Sequence, residues 1–467
     1  MTQVLKITGL TDSETATLNL LAEQLEQKKS RNLLRSSFYD GRRAVKQIGT
    51  VIPPQYSKIG LALGWSAKGV DGLGRRCNLD KMIWAGGDLD SIGMDELVDS
   101  NFLYSELSQG RTDSLLHGVS YLINTEGDGA AGEPKALVHA KDGLNATGDW
   151  NVRSRKLDNL LSVTSRKDDD ITGFILYLDG LTISAARDSS GWSVDKRDHG
   201  WGVPADPMVY KPRASRYAGK SRITRPVMGL QDAALRALIR MEAHMDIYTI
   251  PKLILLGATE EVFKNADGSA KASWQMALGR VLGVPDDDDS SNPNPRADVK
   301  HVAAESPAAH LAQLNALAKL MARETDLPDA DFALTDMANP TSADSYNASR
   351  ENLIAEAEGA TEDWSPSIRR TVKRALAMQN GLKSVPDSWA GIEPKWRSPI
   401  YLSKAAAADA GAKQLGAVPW LAETEIGLEL LGLDEQQIKR AMAEKRRASG
   451  RAVVAALKPA PANADAP

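Results

Sequence analysis

The 467-residue chain contains a single cysteine, Cys77, so no internal disulfide and no multi-thiolate metal site can form. That suits a reducing compartment, or a particle assembled in one. No apolar run approaches the roughly 18–20 residues that cross a bilayer. The opening stretch, MTQVLKITGLTDSE, lacks the basic start and apolar middle of a secretion signal. A soluble chain made in the cytosol, with no membrane partner, is expected. Aromatic residues are scarce at 5%, but ten of them are Trp, whose size demands particular contacts. Positive charge is not in excess either. The net charge of −4 excludes a protein that coats DNA, though not one that handles DNA without gripping it.

The groups of common enzymes are missing as well. There is no H-E-x-x-H and no serine in a nucleophile elbow. The six histidines, 117, 139, 199, 244, 301 and 310, are dispersed without carboxylates at ligand spacing. Residues 214–221, ASRYAGKS, end like a phosphate-binding loop. The required first glycine is Ala214, however, and Pro226 follows within a few residues where a helix should begin. Those residues read instead as a basic connector: Lys211, Arg213, Arg216, Lys220, Arg222 and Arg225 crowd fifteen positions. Such a cluster could contact phosphate, but ion pairing between domains or subunits is the favoured reading. Asp286, Asp287, Asp288 and Asp289 form an acidic run of the kind usually found in a solvated loop. No catalytic residue, metal or cofactor is expected.

Hydrophobic content of 42% and charged content of 25% support sizeable cores, and the length suggests about three domains. Residues 12–36 read as an amphipathic helix capped by Thr11 or Asp12, with Leu18, Leu21, Leu25 and Leu33 as its stripe. From about 115 to 196 the pattern changes to strands. Asp179-Gly180 between two apolar runs is a two-residue hairpin turn, and SSGWSVDKR adds a third strand. This predicts an antiparallel meander with helices before and after, an α+β fold class. Residues 228–248 return to helix, with Leu230, Ala234, Leu238, Met241 and Met245 on one side. Residues 251–305 read as irregular. A second helix follows, with Ser306 as cap, Pro307 at its first position and a stripe of His310, Leu311, Leu314, Leu317 and Met321.

The stretch ANPTSADSYNASRENLIAEAE, 338–358, carries the strongest start signals. Asn339-Pro340 forces a turn, Thr341 or Ser342 can cap, and Asp344 completes a capping-box spacing. Further helices are expected over 365–380 and 421–450, and a disordered tail from 451.

In this order the elements resemble the portal proteins of tailed bacteriophages, of the siphovirus type. The resemblance is carried by NLLRSSFYDGRRAVKQIG, by GKSRITRPVMGLQDAALRALIRMEAHMDIYTIPKLILLG and by HVAAESPAAHLAQLNALAKLMARETDLPDADFAL. It continues through NPTSADSYNASRENLIAEAE, IEPKWRSPIYLSKAAAADAGAKQL and LELLGLDEQQIKRAMAEKRR, spanning most of 30–450.

The resemblance implies a mainly α-helical portal fold with a β-rich wing, helical stem, irregular clip and helical crown. It assigns 1–50 to an N-terminal helical segment, 51–227 to the wing, and 228–250 and 306–325 to paired stem helices. The clip would be 251–305, the tunnel loop 326–341, and the long helix and C-terminal wing or crown 342–450. Asp331, Thr335, Asp336, Asn339, Pro340, Thr341 and Ser342 would then line a channel, and Asp286 to Asp289 would lie on the clip. The implied assembly is a closed ring, typically of twelve subunits, at one capsid vertex of a virion built in the host cytoplasm. Implied partners are the major capsid protein, the terminase large subunit, a head–tail connector or adaptor, and double-stranded DNA. Mild acidity fits, since a conduit studded with Lys and Arg would bind phosphates and stall the duplex. The competing readings are another virion connector or scaffold component, and a DNA-translocating NTPase, which the defective phosphate loop disfavours.

Overall fold

The computed structural model describes residues 4–42, 60–248, 252–256, 269, 298–302, 306–332, 350–401 and 404–456. Asp286 to Asp289, Thr335, Asp336, Asn339, Pro340, Thr341, Ser342 and the tail beyond 456 lie outside these residues. The described chain divides into two compact units, 1–397 and 398–467.

The first unit opens with helix α1, Asp12–Tyr39. Thr11 caps it: its hydroxyl accepts from the Glu14 amide while the Glu14 carboxylate accepts from the Thr11 amide, a complete capping box. Leu18, Leu21 and Leu25 are buried as the stripe requires, but Leu33 is exposed, and Phe38 is the buried apolar residue at that end. Then come α2 (Trp65–Gly74), β1 (Leu79–Trp84), α3 (Met94–Asn101) and α4 (Leu103–His117).

Strands β2 (Val119–Glu126) and β3 (Ala136–Asp142) follow, then β4 (Ala146–Asn151), β5 (Lys156–Lys167), β6 (Asp170–Leu178), β7 (Leu181–Arg187), β8 (Trp192–Asp198) and β9 (Ala205–Val209). They form two antiparallel sheets, a three-stranded one in the order β3-β2-β9 and a five-stranded meander β4 to β8. The meander contains the expected hairpin: Leu178 pairs with Leu181 across Asp179-Gly180, and Gly180 takes φ +74°, which a side chain would disfavour. α1 covers one face of the meander, where Leu18, Leu21 and Leu25 meet Leu161, Phe174, Leu176 and Ile183.

Two long helices come next, α5 (Arg225–Tyr248) and α6 (Ala308–Thr325). Pro307, expected as the first helical residue, is instead the N-cap of α6 and offers no side-chain cap, and the Ser306 hydroxyl accepts from the Ala308 amide at 3.3 Å just before it. Between the helices, β10 (Lys252–Leu256) pairs antiparallel with β11 (Asp298–Val302). The segment read as irregular is therefore zipped at both ends. α7 (Glu351–Gln379) then runs as one helix through Pro366, where the sequence suggests two. Pro366 lacks the amide that would bond back one turn, and the neighbouring Ser365 hydroxyl donates to the Thr361 carbonyl. β12 (Ile392–Trp396) returns to pair with β1.

The largest core lies between α2, α3, α4 and α7 and the three-stranded sheet. Trp364 and Val372 of α7 pack there with Leu73, Leu97, Leu115, Leu122 and Met208. Cys77 sits in the same core, fully buried, its thiol donating to the Ala357 carbonyl at 3.7 Å. Burial pushes its pKa up to about 12. Thiol reagents at pH 8 should leave the folded protein unlabelled and modify one site per chain after denaturation; rapid native labelling would contradict this packing.

The second unit contains α8 (Lys404–Ala417), α9 (Glu425–Leu430) and α10 (Glu435–Ala456). Thr424 caps α9 by accepting from the Gly427 amide, and Asp434 accepts from the Gln437 amide at the start of α10.

Candidate functional site

α5 and α6 pack side by side and run in opposite directions. Val227 and Ala234 of α5 meet Ala318 and Met321 of α6 over Trp65. About ten residues further out, the rings of His244 and His310 meet edge to face at 5.2 Å. At the expected rise of ~1.5 Å per residue, these contacts lie ~15 Å apart along the pair. The expected stripe on α5 is only partly buried: Ala234 is enclosed, Leu230 and Leu238 are half-buried and Met245 is exposed. A second set, Leu235, Ile239 and Ala243, packs against Leu61 and Leu63.

The chain leaves α6 through a firm turn. Asp326 adopts φ +52° and its amide bonds the Ala322 carbonyl, a left-handed helix end. Leu327 is then buried against α2, so closely that a Cβ on Gly72 would lie 2.8 Å from its Cδ2. A Cβ on Gly69 would lie 3.2 Å from Cγ2 of Thr325. The chain makes a single 3-10 turn at Asp329–Asp331, which contains the half-buried Asp331. Phe332 then packs edge to face on Trp65 at 5.8 Å. The first residues of the expected loop are thus anchored to the body.

One side chain gathers this junction. Arg222 lies in the basic connector between β9 and α5, and only 7% of it is exposed. Its Nε donates to the Gly69 carbonyl at 2.5 Å and its Nη1 to the Tyr210 hydroxyl at 3.0 Å. Its Nη2 donates to the Thr325 carbonyl, one of the orphan acceptors at the end of α6. Glu356, in the second turn of α7, faces the same guanidinium at 3.7 Å and pairs with Lys211 at 2.6 Å. The Tyr210 hydroxyl donates to that carboxylate, and burial raises the phenol pKa so that it remains a donor. Both ends of segment 326–350 are therefore tied to Arg222, through Thr325 and through Glu356.

A second buried network fastens α7 to the three-stranded sheet. Asp206 of β9 accepts from Arg370 at 2.5 Å and from Arg374 at 2.6 Å. Arg374 also donates to Asn124 of β2 at 2.9 Å.

The phosphate-loop look-alike is used up in packing. Gly219 takes φ +65°, and a Cβ there would lie 2.4 Å from the Tyr210 carbonyl. The Lys220 amide bonds Tyr210, and the Ser221 hydroxyl bonds the Leu116 carbonyl. Those groups are not available to a phosphate. Among the described residues no cluster of His, Cys, Asp and Glu could hold a metal ion. The sequence reading noticed Arg222 only as one of six connector cations and missed Tyr210, Glu356 and Thr325. The one local signal was a basic cluster in an acidic chain.

A family model described as "Phage portal protein, SPP1 Gp6-like" matches residues 18–451. The portal proteins of Mycobacterium phages L5 and D29 are each 24% identical over 388 residues, covering 82% of this chain and 78% of theirs. Among solved structures, the neck of a native GTA particle computed with C12 symmetry is similar at 14% identity and TM-score 0.43, over 85% of this chain and 98% of that one. The neck of an empty GTA particle, computed with C6 symmetry, has 16% identity and TM-score 0.43 over 79% and 90%. With the family match running over most of its length, the chain belongs to the SPP1 Gp6-like family of phage portal proteins.

Proposed function

We propose that this portal protein forms a closed ring, of twelve subunits as the resemblance implies, around a channel for double-stranded DNA at one capsid vertex. In this reading α5 and α6 are the stem. Segment 251–305 is the clip that meets the terminase and later a head–tail connector. Segment 326–341, with Asp331, Thr335, Asp336, Asn339, Pro340, Thr341 and Ser342, borders the passing duplex. Copies assemble in the host cytoplasm and are built into a shell of major capsid protein.

The observation that supports this most is the double anchoring at Arg222, because a segment bordering a moving duplex needs both ends held at a constant radius. Exposed Leu320 on α6 and Met245 on α5 add apolar surface that neighbouring copies would cover. The purified chain should sediment at many times its 50.4 kDa mass and show a flanged ring with a central hole in negative stain. A strict monomer at high concentration would overturn the reading.

A further inference from the structure

The first unit has two ends of opposite charge, set apart by helix α4. Residues 88–106, around α3, hold six carboxylates (Asp88, Asp90, Asp95, Glu96, Asp99 and Glu106) and no basic residue. Residues 211–225 hold the six connector cations and no acidic residue. Asn101 fixes the acidic end to the outer edge of β3, its amide bonding the Ala136 carbonyl at 3.0 Å and the Val138 amide at 2.8 Å. The connector is fixed at the opposite end of α4. The Arg222 amide bonds the Leu115 carbonyl at 2.8 Å, and Tyr210, just beyond β9, bonds Gly118 at 3.0 Å. Fifteen residues of α4 put the two ends ~22 Å apart.

The basic end is only partly neutralised by the fold, and at the acidic end Asp99 has no side-chain partner among the described residues. Glu356 takes up Lys211 and Arg222. Among the described residues Arg213, Arg216, Lys220 and Arg225 have no side-chain partner, nor has Arg31 on α1. The Arg31 pKa is held below its ordinary value by partial burial and then by the Arg216 guanidinium, so like charges crowd together there. At the acidic end, Phe102 is 76% exposed and held at φ +49°, a left-handed conformation that costs a non-glycine residue energy. Tyr104 is exposed beside it. The α4 dipole favours this polarity but acts only over the first and last turn, so it does not satisfy groups on α3 or at Arg213.

We infer that the two ends are the halves of one heterologous contact between copies: Phe102 and the carboxylates around α3 in one subunit meet the Arg31–Arg213–Arg216 edge of the next. The contact rests on the ring reading and names the surface that closes it. A head-to-tail contact between unlike surfaces generates a ring when its rotation closes, and opposite charges fix its register.

Two variants test it, neither touching the Arg222 junction. Glu96→Lys with Asp99→Lys blocks the acidic face, and Arg213→Glu with Arg216→Glu blocks the basic edge. Each should melt like the wild type yet sediment as a monomer. Mixed in equal amounts they should form rings of alternating variants, because the native charge pair and the swapped Lys–Glu pair are both complementary. Both reversals in one chain should restore rings. Rings of normal size from either variant, or a mixture that stays monomeric, would overturn the contact. Normal rings that no longer retain DNA would also overturn it and assign the basic edge to phosphate. A wild-type chain that never forms rings would sink the ring reading and this contact together, whereas rings indifferent to both reversals sink the contact alone.

Discussion

Replacing Arg222 with methionine is expected to cost about 3–5 kcal/mol, because it removes the buried cation beside Glu356, leaving only the half-exposed Lys211, and strips the Gly69 and Thr325 carbonyls of their donor. Methionine fills much of the same volume, so lost packing does not dominate. The distinctive result is where protection is lost. Hydrogen exchange should rise at 326–332 and at 350–357 together, since one guanidinium serves both. Lys211→Ala is the control: its side chain is 48% exposed, and its pair with Glu356 should contribute no more than about 1 kcal/mol. If exchange rises at one end only, Arg222 is not the common anchor. In packaging assays the same variant should retain DNA poorly even where rings form.

Trp364→Ala is expected to be comparably damaging, at about 3–5 kcal/mol. Trp364 is fully buried in α7, its indole donating to the Ser114 hydroxyl at 3.1 Å, with the rings of Tyr210 and Trp396 at 6.5 and 6.4 Å. Trp364→Phe keeps most of the apolar volume and should lose less, mainly the Ser114 bond. Because Tyr210 touches both Trp364 and Arg222, the two sites should not be independent. A double variant should lose measurably less than the sum of the single losses in denaturant melts. Strict additivity would separate the core from the junction.

What the sequence revealed and what it hid divide by distance along the chain. The Thr11 capping box and the Asp179-Gly180 turn are spelled out within four residues, so their chemistry is readable locally. The family resemblance was legible because the order of helices survives even where identity is low. The α5 stripe misled because that helix is buried on two sides, by α6 and by Leu61 and Leu63, so no single stripe describes it. Helices α2, α3 and α4 went unread. The buried face of α4 includes Gly110, Ser114 and His117, which do not stand out in an apolar pattern. The sequence reads as separate helices before and after about 360, yet α7 continues through Pro366 because the Trp364 and Ile368 contacts on either side outweigh one missing bond. The Arg222 junction was the least visible: its partners Gly69 and Thr325 lie 153 and 103 residues away. Composition around Arg222 gives charge and nothing about direction.

The small ladder of β10 and β11 makes the remote end of α5 and α6 a standard fitting. Five residues from each side, Lys252–Leu256 and Asp298–Val302, return the chain to the same place whatever lies between them. Lengthening a loop with fixed ends is cheap, about 0.6 kcal/mol for each doubling. In the proposed clip reading, residues 257–297 can therefore be exchanged, extended or rewritten while the helices below keep their register. Selection can work on that attachment as a cassette, independently of the body that carries it.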